Sequence, residues 1–437
     1  MREIIGSFKV YFMQFFSIRL TLFTFVVSVI FGFTSQCSKP ASPNNPEIDK
    51  DIVFQPGTPF QKPVAHFPGV NWPKSTPEAE GLDPEAVKKL DEYLSLRSGD
   101  DTNRLGIRTN AFLLIRNGKI VFEKYERGYT PDSAMLTWSV SKSITNILAG
   151  IAVKQGRIDI NQPAYKCEGD LDTDDAHRSI RLRHLLQMSS SLGYDESYEA
   201  SPVYSSVIAM LYTRGHNDMA KFTANHPLVA AAGMHWNYSS GDSNIVAACL
   251  KHGISTEEYN NLPWVELFDP LQMKNAVWEQ DQAGTFVGSS YLYLRPQDLA
   301  KIGYLFMQDG VWNGKRILPE GWVRYSLSVV PAYYNREKIS VSERDDNPTA
   351  YWYANIGNPD KGIEKPWPEA PEDTFAGLGH WGKGLWVIPS LDMVIVRLGD
   401  DRRYGCRWSD QKGCEVDVNK GFSKRHLLKL VMETVKK

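Results

Sequence analysis

The sequence predicts an α/β fold: one antiparallel sheet built from both ends of the chain, flanked by helices, with a mainly helical region inserted between. Three observations lead there. Two apolar runs, Ala111–Ile115 and Ile120–Tyr125, flank Asn117-Gly118, the strongest short hairpin signal. The stretch from about 160 to 300 is mostly helical in pattern, as in Ile180–Met188 and Pro296–Gln308. Short β-branched runs return at Gly384–Ile388 and Met393–Leu398, separated by Pro389-Ser390-Leu391-Asp392. Early strands, central helices and late strands suit a sheet that joins the two chain ends.

The elements follow in order. Arg2, Lys9 and Arg19 precede the apolar run Leu20–Phe33, and Cys37 follows Thr34-Ser35-Gln36, the order of a bacterial export signal. The run is short for a spanning helix. Residues 1–37 are therefore expected to be an export or lipoprotein signal, with Cys37 a candidate lipidated first residue. Gln36 stands where lipoproteins prefer a small residue, so an uncleaved membrane anchor is the alternative. Either way the rest is expected outside the cytoplasm, periplasmic or membrane-anchored. Residues 38–70 read as a Pro-rich tether, and 71–437 as the folded domain, with sheet parts at about 71–135 and 300–437. Asp83 as N-cap and Pro84 at the first helical position open a helix with Val87, Leu90 and Leu94 on one face. A second helix starts near Ser139, with Val140, Ile144, Ile147, Leu148, Ile151 and Ala152 at helical spacing and Gly156 at its end. A last amphipathic helix carries Leu427, Leu428, Val431 and Val435.

Composition excludes several classes. The 437 residues are 42% hydrophobic, enough for a large core, and 49 basic against 51 acidic residues leave no basic face for nucleic acid. Cys406 and Cys414 flank a short polar loop and suggest a local disulfide in an exported protein. Cys167 and Cys249 either pair with each other or are buried thiols. There is no CxxC and no HExxH, and the nine His show no ligand spacing, so neither metal nor cofactor is expected. A GxSxG elbow is also missing.

Three stretches carry chemistry. In Trp138-Ser139-Val140-Ser141-Lys142, Ser139 and Lys142 share one face of a helix start. A lysine whose pKa is lowered by burial can activate a serine, and the helix N-terminus suits a developing oxyanion. In His235-Trp236-Asn237-Tyr238-Ser239-Ser240-Gly241-Asp242, the phenol of Tyr238 can relay a proton. Ser240 can position Lys142 or a substrate, and Asp242 is expected to cap a helix over Ser243–Leu250. Third, the glycine-rich Phe375-Ala376-Gly377-Leu378-Gly379-His380-Trp381-Gly382-Lys383-Gly384 allows close backbone approach to a ligand.

In order and spacing these resemble the penicillin-recognising serine hydrolases, which carry Ser-x-x-Lys, then Tyr-x-Asn or Ser-x-Asn, then Lys-Thr-Gly on a late strand. The sequence looks like the class C β-lactamase branch, and most like its 6-aminohexanoate-dimer hydrolase and esterase relatives. Arg183-His184-Leu185-Leu186-Gln187-Met188 and Asp309-Gly310-Val311-Trp312-Asn313-Gly314 agree. The resemblance implies a β-lactamase/transpeptidase-like fold over roughly 70–437. It implies Ser139 as acylated nucleophile, Lys142 as activator and Tyr238 as second base and acid. The oxyanion hole would use the N–H of Ser139 and of His380, beside Gly379, and Tyr194 and Asp195 would line the pocket. Two departures stand out: Tyr238-Ser239-Ser240 has serine where class C enzymes have asparagine, and the Lys-Thr-Gly position reads near Gly377-Leu378-Gly379, without lysine. That lysine normally helps hold a β-lactam carboxylate. The expectation is a serine hydrolase cleaving an ester or amide bond of a small substrate through an acyl-enzyme. The alternatives are a peptidoglycan-directed penicillin-binding carboxypeptidase and a non-catalytic envelope binding protein.

Overall fold

The computed structural model describes residues 51–55, 67–96, 106–198, 201–335, 347–401 and 422–436. The expected export segment with Cys37, most of the tether, and the Cys406–Cys414 pair lie outside these residues.

Helix α1 (Pro84–Leu94) begins as expected, with the Asp83 side chain accepting from Glu85 N. Strands β1 (Thr109–Arg116) and β2 (Lys119–Tyr125) form a hairpin in which Asn117 and Gly118 both have positive φ, 51° and 72°. That backbone twists with the strands, which is why Asn-Gly is favoured there. Helix α2 (Val140–Lys154) follows. In the helical region α3 (Ser240–Lys251) and α4 (Pro296–Met307) are the longest elements. Ile180–Met188 gives only a short helix at Leu182–Leu186, and short strands at Val277–Trp278 and Leu292–Leu294 interrupt the helical pattern. The chain then supplies β3 (Tyr353–Ala354), β4 (Phe375–Gly379), β5 (Lys383–Ile388), β6 (Met393–Gly399) and α5 (Lys424–Thr434).

The six strands lie in the order β2-β1-β6-β5-β4-β3, and every described pairing is antiparallel. β1 from the first part of the chain pairs with β6 from the last, Leu113 opposite Val396. Both faces are covered. Ala111, Leu113, Ile115, Val394 and Val396 face a core shared with α2 and α4. Phe112, Leu114, Met393 and Ile395 face the core of α1 and α5. Double coverage explains why these strands read as continuous apolar runs rather than alternating ones.

Helix α2 is buried from Val140 to Ala152, polar residues included. Each polar side chain therefore needs a partner. Ser143 Oγ donates to Tyr351 O at 2.8 Å, Thr145 Oγ1 to Gly288 O at 2.8 Å, and Asn146 Nδ2 to Ala350 O at 3.0 Å. These bonds hold two loops, near 288 and 350, against the helix.

Of the two open readings for Cys167 and Cys249, the structure gives the disulfide, closing a separation of 82 residues across the helical region. Closing so long a loop limits the unfolded chain. Reduction should cost about 4 kcal/mol of stability, read as a lower Tm in dithiothreitol and matched by Cys167→Ser; an unchanged Tm under reductant would show that the bond contributes nothing.

Candidate active site

The turn into α2 is held from both sides. Met135 pairs with Leu294, and Leu292 O accepts from both Thr137 N (2.9 Å) and Thr137 Oγ1 (2.8 Å). Trp138 then takes φ 49°, a strained conformation for a bulky residue. Ser139 follows at the N-cap position with helical φ and ψ, and its hydroxyl makes no cap hydrogen bond. An N-cap serine ordinarily uses its oxygen on the helix N–H groups. Here the oxygen is left for Lys142, whose Nζ lies 3.1 Å from Ser139 Oγ.

Lys142 is 1% exposed. Its Nζ also donates to Ser240 Oγ at 3.0 Å and to Ser289 O at 3.1 Å, and sits 4.9 Å from the centre of the Tyr238 ring. Burial penalises the ammonium and brings its pKa down to about 8, while the nearby Glu196 carboxylate pulls the other way. A lysine so placed exchanges its proton near neutral pH.

Tyr238 and Ser240 arrive together at the start of α3. The cap there is not Asp242, as the sequence suggested, but Ser239, whose Oγ accepts from Asp242 N at 3.0 Å. Asp242 lies inside the first turn, and burial pushes its pKa up to about 7. The earlier cap puts Tyr238 just before the helix and Ser240 at its first residue.

The late strand reaches the same space through its backbone. Gly377 and Gly379 face the start of α2: a Cβ would lie 2.9 Å from Ser143 Oγ at Gly377 and 2.5 Å from Thr137 O at Gly379. Gly379 thus makes room for the helix instead of lining the cavity. Just before β4, Thr374 O accepts from Asn355 N at 2.9 Å, and within it Ala376 pairs with Tyr353, so Thr374 and Ala376 turn their polar groups toward the β3 segment. Alternation puts Leu378 on the same edge, beyond the end of β3. His380, expected to present its N–H, lies past β4 in the hairpin loop; its ring stacks on Tyr198 at 4.6 Å. Leu378 replaces it as the strand residue at the cavity.

Ser139, Lys142 and Tyr238 share a narrow cavity with Met188, Tyr351, Trp352, Tyr353 and Leu378, its walls leaving about 10 Å³, room for about one water. Tyr194 and Asp195 do not join them. The Tyr194 hydroxyl turns into the helical layer, 3.4 Å from Met210 Sδ, and Asp195 is exposed and accepts from Ser197 N. Their neighbour Glu196, overlooked in the sequence, accepts from Ser240 N at 2.9 Å and from Ser240 Oγ at 2.5 Å. An acidic pair after a Ser-Ser-Ser-Leu-Gly turn was its only signal. The Ser289 carbonyl left none, since any residue type can supply it. Neither lysine near β4 replaces the missing one: Lys383 is buried with Nζ on Gly399 O, and Lys361 is exposed on a separate turn. A wider open cleft of about 490 Å³ lies elsewhere, near Arg214 and Phe222. Its charges are used locally, Asp218 as a helix cap and Lys221 on Asp170, and no serine lines it.

The beta-lactamase family matches residues 88–402. The 6-aminohexanoate-dimer hydrolase of Paenarthrobacter ureafaciens is 28% identical over 355 residues, 77% of this chain and 85% of that protein. A Bacillus anthracis structure assigned as a 6-aminohexanoate-dimer hydrolase superimposes with TM-score 0.55 at 19% identity, covering 80% of this chain and 86% of its own. A Bacteroides dorei structure assigned as a beta-lactamase gives 0.57 at 14% identity, covering 81% and 99%.

The pKa of Lys142 sets a pH dependence. The amine can take a proton from Ser139 only when neutral, so labelling of Ser139 by a fluorophosphonate should accelerate as pH rises through about 8. A rate that stays flat from about pH 6 to about pH 9 would remove Lys142 from that role.

Proposed function

Because the chain belongs to the beta-lactamase family and is a serine hydrolase of the amidase and esterase type, we propose that Ser139 forms an acyl-enzyme with a small neutral ester or linear amide. The observation that carries this is the buried Lys142 amine, 3.1 Å from Ser139 Oγ. Lys142, with Tyr238 beside it, takes the hydroxyl proton as Ser139 attacks the carbonyl carbon. The oxyanion forms between the N–H of Ser139, at the helix start, and the N–H of Leu378 on the strand edge. Tyr238 gives its phenol proton to the departing alcohol or amine and regains one from Lys142, which passes on the proton taken from Ser139. Water, activated by the same bases, then releases the acid and restores Ser139.

Among the described residues lining the cavity, Lys142 is the only cation, and it is engaged with three acceptors. No second cation is there for a substrate carboxylate, which favours a neutral acyl portion over a β-lactam. The name of the Paenarthrobacter relative supports linear amides in the test panel. The amino-terminal export pattern adds that the substrate is met outside the cytoplasm.

Ser139→Ala should abolish hydrolysis of p-nitrophenyl acetate; turnover within a few-fold of wild type would sink the assignment. Leu378→Pro tests the second oxyanion donor, because it removes one N–H on the side of β4 that lies beyond the end of β3. It should lower kcat by about 100-fold to 1000-fold, whereas Leu378→Ala, which keeps the N–H and loses the same buried side chain, should share its lower Tm and keep most of kcat. An undiminished kcat in the proline variant would place the donor elsewhere.

A further inference from the structure

Ser240 stands between two charged groups. Its Oγ donates to Glu196 Oε1 at 2.5 Å and its N–H donates to Glu196 Oε2 at 2.9 Å. The same Oγ accepts from Lys142 Nζ at 3.0 Å. A hydroxyl has one proton to give. With that proton on the Glu196 carboxylate, Ser240 can only accept from Lys142. The Ser289 carbonyl, 3.1 Å from Nζ, is also an acceptor only. A neutral amine has two protons and one lone pair. Both protons are called for by Ser240 and Ser289, and the lone pair is left for the third neighbour, Ser139 Oγ.

We propose that Glu196 is a positioning residue: through Ser240 it fixes the direction of hydrogen bonding at Lys142, so that the neutral amine keeps its lone pair on Ser139. This rests on the reading of Ser139 and Lys142 as nucleophile and base. Glu196 touches no reacting atom, so its effect passes through Ser240.

An amide cannot do the same. In Glu196→Gln, if the side-chain oxygen keeps the Ser240 N–H, its NH2 group points at Ser240 Oγ and donates. Ser240 must then turn its own proton toward Lys142, where it competes with Ser139 for the lone pair. The substitution also removes the negative charge that favours the ammonium. The groups facing this pair are Lys142 from α2, Tyr238 and Asp242 from the start of α3, and Tyr194, Asp195 and Tyr198 from the segment of Glu196 itself. Burial holds Tyr194 and Tyr198 in the neutral phenol form, and Asp242 is shared with Ser190 and Ser239. Burial pushes the Glu196 pKa up, against the pull of Lys142 and the two Ser240 hydrogen bonds, and Glu196 is the carboxylate whose charge favours the Lys142 ammonium.

The test is the pH profile of Ser139 labelling by a fluorophosphonate, which reads nucleophile activation without turnover. Wild type must first label at Ser139 and hydrolyse p-nitrophenyl acetate; failure there overturns the proposed function itself. Given that, Glu196→Gln should slow labelling about 100-fold at the optimum and move the acid midpoint down by about one pH unit. A rate within three-fold of wild type, or a slow variant with an unmoved midpoint, would overturn the positioning role. Ser240→Ala keeps the carboxylate and removes the relay. It should lose a similar factor, and the double variant should be no slower than either single one. Multiplying losses would show two independent effects and overturn the chain through Ser240. Should Glu196→Gln not fold, Glu196→Asp and Ser240→Ala decide: the carboxylate should retain rate that the alanine loses, and equal losses would overturn the proposal.

Discussion

One buried ammonium ties the molecule together. Lys142 gives hydrogen bonds to acceptors on three separate pieces of chain: its own helix, the first residue of α3, and the loop at 289. A buried charge without partners would be very costly, and a partial set would leave it unsettled. The fold must therefore bring the helical region to the sheet-side helix with hydrogen-bond accuracy. Most of the polar machinery around α2 serves that end. Thr145 fixes the 288 loop, Asn244 on α3 fixes Ser289 N at 3.1 Å, and Ser143 fixes Tyr351 in the cavity wall. Stability and reactivity draw on one set of contacts, since the same closeness that satisfies Lys142 also desolvates it.

Backbone conformation contributes as much as side-chain chemistry. Trp138 takes a left-handed φ of 49°, and helical angles at Ser139 free its oxygen from capping. Such strain persists only where the surroundings determine it, and here a short strand pair and the two hydrogen bonds from Thr137 to Leu292 O do so. The strand opposite contributes an edge. Its two glycines press against α2, and its unpaired end lies at the cavity by register alone.

How much was legible in the sequence follows from which of these features leave a residue-type signature. The Asn117-Gly118 hairpin, the Asp83 cap and the apolar runs of β1 and β6 were readable because propensity and burial agree there. The meeting of Ser139, Lys142 and Tyr238 in one cavity was readable because each stretch carries a distinctive side chain at a distinctive spacing. That Leu378 and not His380 lines the cavity was not readable. An N–H carries no residue-type label, and the end of β4 is set by a hairpin whose Trp381 takes positive φ. The cap of α3 was ambiguous because Asp242 and Ser239, three residues earlier, both offer a capping oxygen, and Ser239 takes the position. That Glu196 reaches Ser240 while Tyr194 and Asp195 do not line the cavity was not readable, because in an irregular segment no periodicity tells which side chain turns inward. The Cys167–Cys249 bond was left open because connectivity is a property of the fold.

The five residues of β4 also limit what the protein can become. Phe375 packs against Phe306 and Trp352 in one core, while Ala376 and the Leu378 side chain are buried in the other. Gly377 and Gly379 leave no space even for a Cβ. No position on this strand can receive a lysine without burying a charge in packed hydrocarbon or pushing the strand off the helix. Recognition of an anionic substrate is therefore separated from this sequence by several simultaneous changes. Drift among neutral substrates, by contrast, needs only substitutions in the cavity wall, so the architecture channels its own descent.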